Sequence, residues 1–568
     1  MHWLSHNPLV SIAMLFALSM LGMAAVGTVI GFSPVPYWDM WGATLGFYMA
    51  VADGNHAVWW AQHNEHRIVL SRLLFWLDYA FFGGRSVFLL TANFVIVLTA
   101  VATFFVIARQ YLHNRESDAP LYVATAFLSA WLFQWMQEEN LAWAFQSQFF
   151  LAQLLPLIAL YLLSRAANLS TSGIWHFAGA CGAGALAMGT MANGIITLPL
   201  MTLYAFITRM SAKRILALAA LSVVLLTAYF LDYQRPGDHG SVITTLVTQP
   251  VELAHYVLLY LGTPFYVLAG EGETGLWAAR ISTVVMTILT LRALWPAVRA
   301  PRDNLIRLAL IFYIVYLTGT ALGTGSGRLI FGINQAVTYR YTTPALMAWA
   351  ALLWLYLPPL INRMKNNRIL SLIIAAALAS VMLWHQTAAL TPQHQRIFDR
   401  AVAMLALEMD VRDEPQINTI YVMDEGLINT VEVASAYDVG IFADYPWHNL
   451  REQIGRRTAV RTGSQCVGHL DQVSAIATEP RFVRIDGWLF SASHNQAPHL
   501  IRLVSATGTT AGFALTGQPR PDVRDAVTKE AYLAGLRGYL AIDSLGEPIE
   551  FAGLDVDCSL IIDVPAQI

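Results

Sequence analysis

Residues 36–67 read PYWDMWGATLGFYMAVADGNHAVWWAQHNEHR and lie between two strongly apolar runs. The segment gathers Asp39, Asp53, His56, His63, Glu65, His66 and Arg67 with Trp38, Trp41, Trp59 and Trp60. The run before it, Leu9 to Phe32, is long enough to cross a bilayer, and another begins near residue 86. So many ionisable groups between two spans make a loop at a membrane surface, with its tryptophans at headgroup level. Charge kept beside a bilayer is a functional-site hypothesis, and its alternative is an aromatic belt with solvated charges.

The composition supports a membrane setting. Of 568 residues, 56% are hydrophobic and only 12% charged, and the mean hydropathy is +0.51, a balance that belongs to a polytopic membrane protein. A net charge of −3 leaves no basic face for nucleic acid. The first residues, MHWLSHNP, carry no Lys or Arg before an apolar run longer than a signal-peptide core, so an uncleaved first span is expected. About 11 transmembrane helices are expected, near 9–32, 86–108, 119–136, 148–164, 174–191, 194–209, 214–231, 277–297, 306–323, 343–361 and 369–388.

Orientation follows from basic residues. Arg109, Arg115, Arg165, Arg209, Lys213, Arg214, Arg299, Arg302, Arg363, Lys365 and Arg368 fall in alternate loops, which are therefore expected to be cytoplasmic. Loops 33–85, 137–147, 192–193, 232–276 and 324–342 are then outside, the amino terminus inside and the carboxy-terminal part outside. Residues 242–270 are apolar but interrupted by Pro250 and Pro264, and are expected as an interfacial or re-entrant helix pair on the outer face.

After Leu390 the composition becomes that of a soluble protein. Two domains are expected, 1–391 in the membrane and 392–568 as an extracytoplasmic α+β domain. A polar helix near Gln393 to Met409 should lead into a strand at Ile417–Val422 and a helix near Leu427–Ala436. Runs of period two, such as FVRIDGWLF at 482–490, HLIRLVS at 499–505 and 511–515, argue an antiparallel, β-sandwich-like sheet. Trp488 on that sheet is either a sugar platform or a buried core residue. Cys466 and Cys558 are the natural disulfide if this domain faces an oxidising compartment, with two buried thiols as the alternative, while Cys181 lies in a span.

Several groups on the expected outer side can carry chemistry. Asp39 can deprotonate a hydroxyl beside Trp38, a stacking face for a sugar, or can cap a helix beginning at Met40. Glu138 and Glu139, in WMQEENLAWAFQSQ, can position an acceptor, assist as base or join Asp39 around a divalent cation. Arg340, in TYRYTTP with Tyr341, is preferred to Arg328 as the contact for a phosphate leaving group. Arg328 ends a Gly-rich GTGSGR run that reads as a flexible loop and lacks a P-loop ending. His63 and His66 at i, i+3 would share a helical face, yet the spacing is not HExxH and no Cys is near. Glu65, His66 and Arg67 are expected instead as a polar helix end that bonds substrate or neighbouring loops.

With PYWDMW, HNEHR, EEN and RYTTP in place, the chain resembles bacterial GT-C-type polytopic glycosyltransferases associated with cell-surface polysaccharide. That resemblance implies a multi-pass enzyme of the bacterial cytoplasmic membrane with an outer carboxy-terminal domain. It implies transfer of a sugar from a polyprenyl-phosphate donor to a lipid-linked or surface glycan, with inversion at the anomeric carbon. It further implies the acid-motif base at Asp39 and a donor-phosphate contact at Arg340. The family often has two adjacent acids where this chain has Asp39 flanked by Trp38 and Met40, so a Mg or Mn requirement is left open. A lipid-linked oligosaccharide flippase and an O-antigen polymerase or ligase are the alternatives. The flippase would distribute its charges through mid-membrane faces and repeated halves, whereas these acids gather near one surface and no repeat is visible.

Overall fold

The protein is described from a computed structural model, which covers residues 7–112, 118–168, 173–235, 237, 240–458 and 464–567. Arg115, one of the residues expected to set orientation, lies outside the described residues. The chain divides into two compact units. One comprises Met1–Val29, Trp59–Leu74 and Val87–Thr391, and the other Ile30–Val58, Phe75–Ser86 and Pro392–Ile568. The second unit thus takes in two pieces of the amino-terminal half, including the PYWDMW stretch.

The first unit is helical. Among the described residues, eight helices are long and apolar enough to cross a membrane: Pro8–Ile30, Val87–Tyr111, Ala144–Asn168, Ala212–Phe230, Pro250–Leu268, Gly272–Arg299, Pro301–Phe331 and Arg368–Glu408. A ninth is reached if Tyr339–Leu355 and Leu357–Met364, bent by 64°, form one span. The prolines at 358 and 359 follow that break, where the second helix restarts with proline in its first turn. The protein is a multi-pass membrane protein.

Eight or nine candidates among the described residues stand beside the expected number of about 11. Among the described residues, Ala119–Leu132, Gly173–Ala187 and Thr197–Ile207 are helical over 14, 15 and 11 residues. At 1.5 Å per residue they fall short of the roughly 30 Å hydrocarbon core. The apolar run continues past each helix end, so hydropathy alone could not show where the backbone leaves the helix. At 242–270 the expected pair of helices is present as Val242–Thr248 and Pro250–Leu268. There Pro250 starts a continuous 19-residue helix and Pro264 is accommodated within it, which makes Pro250–Leu268 a candidate span.

Packing in this unit relies on small residues. On Pro8–Ile30 the buried positions Val10, Ala13, Ala17, Met20 and Ala24 follow helical spacing, while Ile12, Leu15, Leu18 and Val29 are exposed as a lipid-facing surface would be. A Cβ at Gly262 would lie 2.2 Å from the Ala279 carbonyl oxygen, so glycine lets Pro250–Leu268 approach Gly272–Arg299 closely.

The carboxy-terminal part of the second unit holds eight strands: β1 Ser464–Gln465, β2 Val467–Ile476, β3 Glu479–Phe490, β4 Leu500–Val504, β5 Thr510–Gln518, β6 Gly535–Ala541, β7 Pro548–Gly553 and β8 Cys558–Asp563. Their order is β1-β8-β7-β4-β5-β6-β3-β2, antiparallel except for the β1/β8 pair. Only Cys466 separates β1 from β2, so the two ends of the order are consecutive pieces of one extended segment and the sheet closes on itself. That closure gives the sandwich-like form and leaves few open edges.

Alternation along the strands sorts two cores. Ile485, Leu489, Ile501, Leu503, Leu536, Leu540 and Phe551 fill the interior. Leu500, Phe513, Leu515 and Tyr539 point the other way and join Phe398, Val402 and Leu405 of helix His394–Glu408, together with Val35, Trp41 and Leu45. The expected strand at Ile417–Val422 is instead a helical turn, Glu414–Ile417, that continues as a turn. Asp413 caps it through the Gln416 amide, Pro415 sits in its first turn, and Ile417 and Ile420 are buried at a spacing of three. Cys466 and Cys558 are disulfide-bonded, with Cα atoms 5.3 Å apart.

Two measurements test this account of the second unit. Replacing both Cys466 and Cys558 by Ala frees a 92-residue separation, and chemical denaturation should show a loss of about 4–5 kcal/mol in the loop-entropy estimate. Asp78 is buried, and burial raises its carboxyl to about 6, only partly opposed by the Ser86 amide that donates to Oδ2 at 3.0 Å. The folded state therefore favours the protonated acid. Its contribution is full below the unfolded value near 4 and is lost as pH rises through 6. Asp78→Asn should flatten the stability profile between pH 4 and 6 and add about 2–3 kcal/mol at pH 7.

Candidate functional site

In the first unit the HNEHR segment is a turn, which corrects the helix expected there. His63 and His66 exchange both backbone hydrogen bonds, each at 2.8 Å, around Asn64 at φ 48°. Asparagine tolerates that left-handed backbone. The Ala192 amide donates to His66 Nδ1 at 3.1 Å, leaving Nε2 3.6 Å from Glu65 Oε1. The Tyr229 hydroxyl donates to the Glu65 carbonyl at 3.0 Å.

Arg67 anchors this turn. It is 3% exposed, and its Nε, Nη1 and Nη2 donate to the carbonyls of Tyr229, Trp60 and Leu231 at 2.8, 2.5 and 2.5 Å. Its guanidinium also lies 5.2 Å from the Trp60 ring centre. Arg72, equally buried, donates to the Ala61 and Trp59 carbonyls. Of the two roles expected for Arg67, bonding neighbouring loops is the one its donors fill.

Two acid–base pairs stand beside this turn. Glu65 Oε1 is 3.7 Å from Arg328 Nη2, and Glu139 Oε1 is 2.9 Å from Arg340 Nη2. All four charges act on the hydroxyl of Tyr341, which is itself buried and stacks on Tyr260 with ring centres 5.2 Å apart. The EEN and RYTTP motifs are knitted together by side chains. Asn140 Nδ2 donates to the Arg340 carbonyl and to Thr343 Oγ1, each at 2.7 Å, and Thr343 Oγ1 donates to Gln137 Oε1 at 2.6 Å. Tyr339 donates to Glu271 at 2.6 Å and feels the charge of Glu138.

The structure thus gathers Glu65, His66, Glu138, Glu139, Arg340 and Tyr341 in one unit and adds Arg328, Glu271 and Tyr256 to them. Tyr256 is fully buried, its hydroxyl has no hydrogen-bond partner among the described residues, and Arg328 and Arg340 act on it. The GTGSGR run is the last turn of helix Leu305–Arg328, which corrects the flexible loop: its amides are spent inside the helix, and Arg328 stands at the helix carboxy terminus. A terminal Arg after an apolar run was the available signal for Arg328. No local pattern pointed to Glu271. The Glu139–Arg340 pair is partly exposed, with side chains 28% and 41% accessible. Such a pair can exchange its internal contact for an incoming anion.

Asp39 and Trp38 belong to the second unit. Trp38 has φ 47°, donates its amide to Ile420 O at 2.8 Å and sets its ring edge-on to Tyr421 at 6.2 Å, leaving 43% of its surface exposed. The Asp39 carbonyl accepts from the Ala43 amide at 2.8 Å, its charge acts on the Tyr421 hydroxyl, and the helical run begins with Met40 as cap residue. Trp41 is a core residue. Among the described residues no three His, Cys, Asp or Glu side chains converge as a metal site.

No protein-family model matches the sequence, and no curated protein matches it. Among solved structures, the chain is similar to the archaeal oligosaccharyltransferase AglB from Archaeoglobus fulgidus, solved in complex with an inhibitory peptide and a dolichol-phosphate. The two share 12% identity over 79% of this chain and 62% of that one, at a TM-score of 0.40, so this chain spans less than two thirds of AglB.

Arg67→Met would remove three charge-assisted hydrogen bonds and leave buried carbonyls without donors, a cost of about 2–4 kcal/mol. Thermal melts in detergent, followed by tryptophan fluorescence, should show the loss. Arg328→Gln, which removes the longer contact to Glu65 and a 5.9 Å ring contact to Phe331, should melt close to the parent protein.

Proposed function

We propose that the protein is a membrane glycosyltransferase. It transfers a sugar from a polyprenyl-phosphate donor to a lipid-linked or cell-surface glycan on the outer side of the bacterial cytoplasmic membrane, with inversion. The observation that carries this reading is the accessible Glu139–Arg340 pair held at 2.9 Å between short helical elements of a multi-pass unit. The resemblance of the PYWDMW, EEN and RYTTP motifs supports it.

In this reading a carboxylate takes the proton of an acceptor hydroxyl as its oxygen bonds the anomeric carbon. The bond from that carbon to the phosphate oxygen breaks, and polyprenyl phosphate leaves with the additional negative charge. Within the first unit Arg340 receives the phosphate and Glu139 contacts the acceptor. The resemblance alone assigns the base to Asp39, with Trp38 as a sugar-stacking face. Arg328, Glu65, Glu138 and His66 line the polar surroundings, while Tyr341 and Arg67 keep the framework in place.

The assay is transfer by the purified protein in lipid nanodiscs, comparing polyprenyl-monophosphate sugars with pyrophosphate-linked oligosaccharides. Asp39→Asn should abolish transfer with membrane insertion preserved; full activity in that variant would remove Asp39 from the mechanism. Arg340→Gln should lower kcat/KM for the donor by about 10- to 1,000-fold. Turnover only with the pyrophosphate donor would favour the polymerase or ligase class instead.

A further inference from the structure

The second unit contains a cavity of about 410 Å³ lined in part by Tyr37, Gln393, Arg396, Asp399, Arg400 and Thr419. Its size falls in the range of small-ligand sites. Arg396 and Arg400 are four residues apart on helix His394–Glu408, so two guanidinium groups occupy neighbouring positions on one face. Like charges at that spacing repel. Among the described residues neither has a carboxylate within ion-pair distance. Arg400 instead lies 3.9 Å from the centre of the Tyr37 ring and bonds that residue.

The acid beside them is committed elsewhere. Asp399 Oδ1 accepts from Gln395 Nε2 at 2.9 Å and lies 3.8 Å from Arg537. Its carbonyl accepts from Gln416 Nε2 at 2.8 Å. The wall therefore combines two cations lacking an acidic partner with amide, hydroxyl and carboxylate groups suited to sugar hydroxyls, and an aromatic ring. An oxyanion between the two guanidinium groups would relieve their repulsion and accept their paired donors.

The geometry points to a binding site for an anionic saccharide, a sugar bearing phosphate or carboxylate, with Arg396 and Arg400 on the oxyanion and Gln393, Asp399 and Thr419 facing the hydroxyls. This site lies wholly within the second unit and is independent of the transfer reaction proposed above. Because its test needs no turnover, failure of either proposal leaves the other standing.

The test is equilibrium binding to the full chain in phosphatidylcholine nanodiscs, with glucose 6-phosphate, glucuronate, inorganic phosphate and glucose as probes. At least one of the two anionic sugars should bind at least 10-fold more tightly than both glucose and inorganic phosphate, and Arg396→Gln should weaken that binding at least 10-fold. Arg396 is exposed, so its replacement leaves the fold in place; Arg400→Gln is the second variant, expected to act in the same direction. Equal affinity for glucose, equal affinity for inorganic phosphate, or unchanged affinity in Arg396→Gln would each overturn the proposal.

Discussion

A guanidinium taken out of water must have its donors met by other oxygens, and the first unit is built to meet that requirement at Arg67. The carbonyls that serve it come from Trp60, 7 residues away, and from Tyr229 and Leu231, 162 and 164 residues away. One buried charge therefore fixes the HNEHR turn against the end of helix Ala212–Phe230, and the backbone groups left over at that helix end gain donors. Glu65 and His66 follow from this anchor. The turn that Arg67 holds is the one that sets the Glu65 carboxylate toward Arg328 and the His66 ring against the Ala192 amide.

The second unit solves a different problem. Its sheet has both faces covered over much of β5 and β6, one by the closed interior and the other by helix His394–Glu408 and the PYWDMW segment. Burial on both sides demands that polar groups at the seam be paired. Asp413 accepts from Arg484 Nε at 2.8 Å and from the Tyr539 hydroxyl at 2.9 Å. This tie holds the capped turn after the helix to two strands. The disulfide lies at the point where β1 becomes β2, the position on which closure of the sheet depends.

Charge accounting distinguishes the groups that hold structure from those available to a ligand. Arg67, Arg72, Asp413 and Arg484 spend their hydrogen-bonding capacity on internal partners, several of them fully buried. Arg340 and Glu139 are paired yet accessible, and Arg396 and Arg400 line a cavity with no carboxylate within ion-pair distance among the described residues. The first set answers to stability, and the second is proposed to answer to binding, because it can change partners without burying an unmatched charge.

What the sequence determined by itself was the membrane class, the change to a soluble composition after Leu390 and the period-two strands. Each rests on composition or on a short period that survives any tertiary arrangement. Tertiary structure decided the rest. The lengths of Ala119–Leu132, Gly173–Ala187 and Thr197–Ile207 depend on where the backbone turns, which an apolar run does not record. Ile417 and Ile420 read equally as strand or turn until the Asp413 cap is seen. The motifs PYWDMW, EEN and RYTTP were visible as unusual residues, but their distribution was not: Asp39 belongs with the sheet unit, and Glu139 with Arg340. Side chains 201 residues apart in the chain become an ion pair through the folding of the helices between them, and no local pattern encodes that distance.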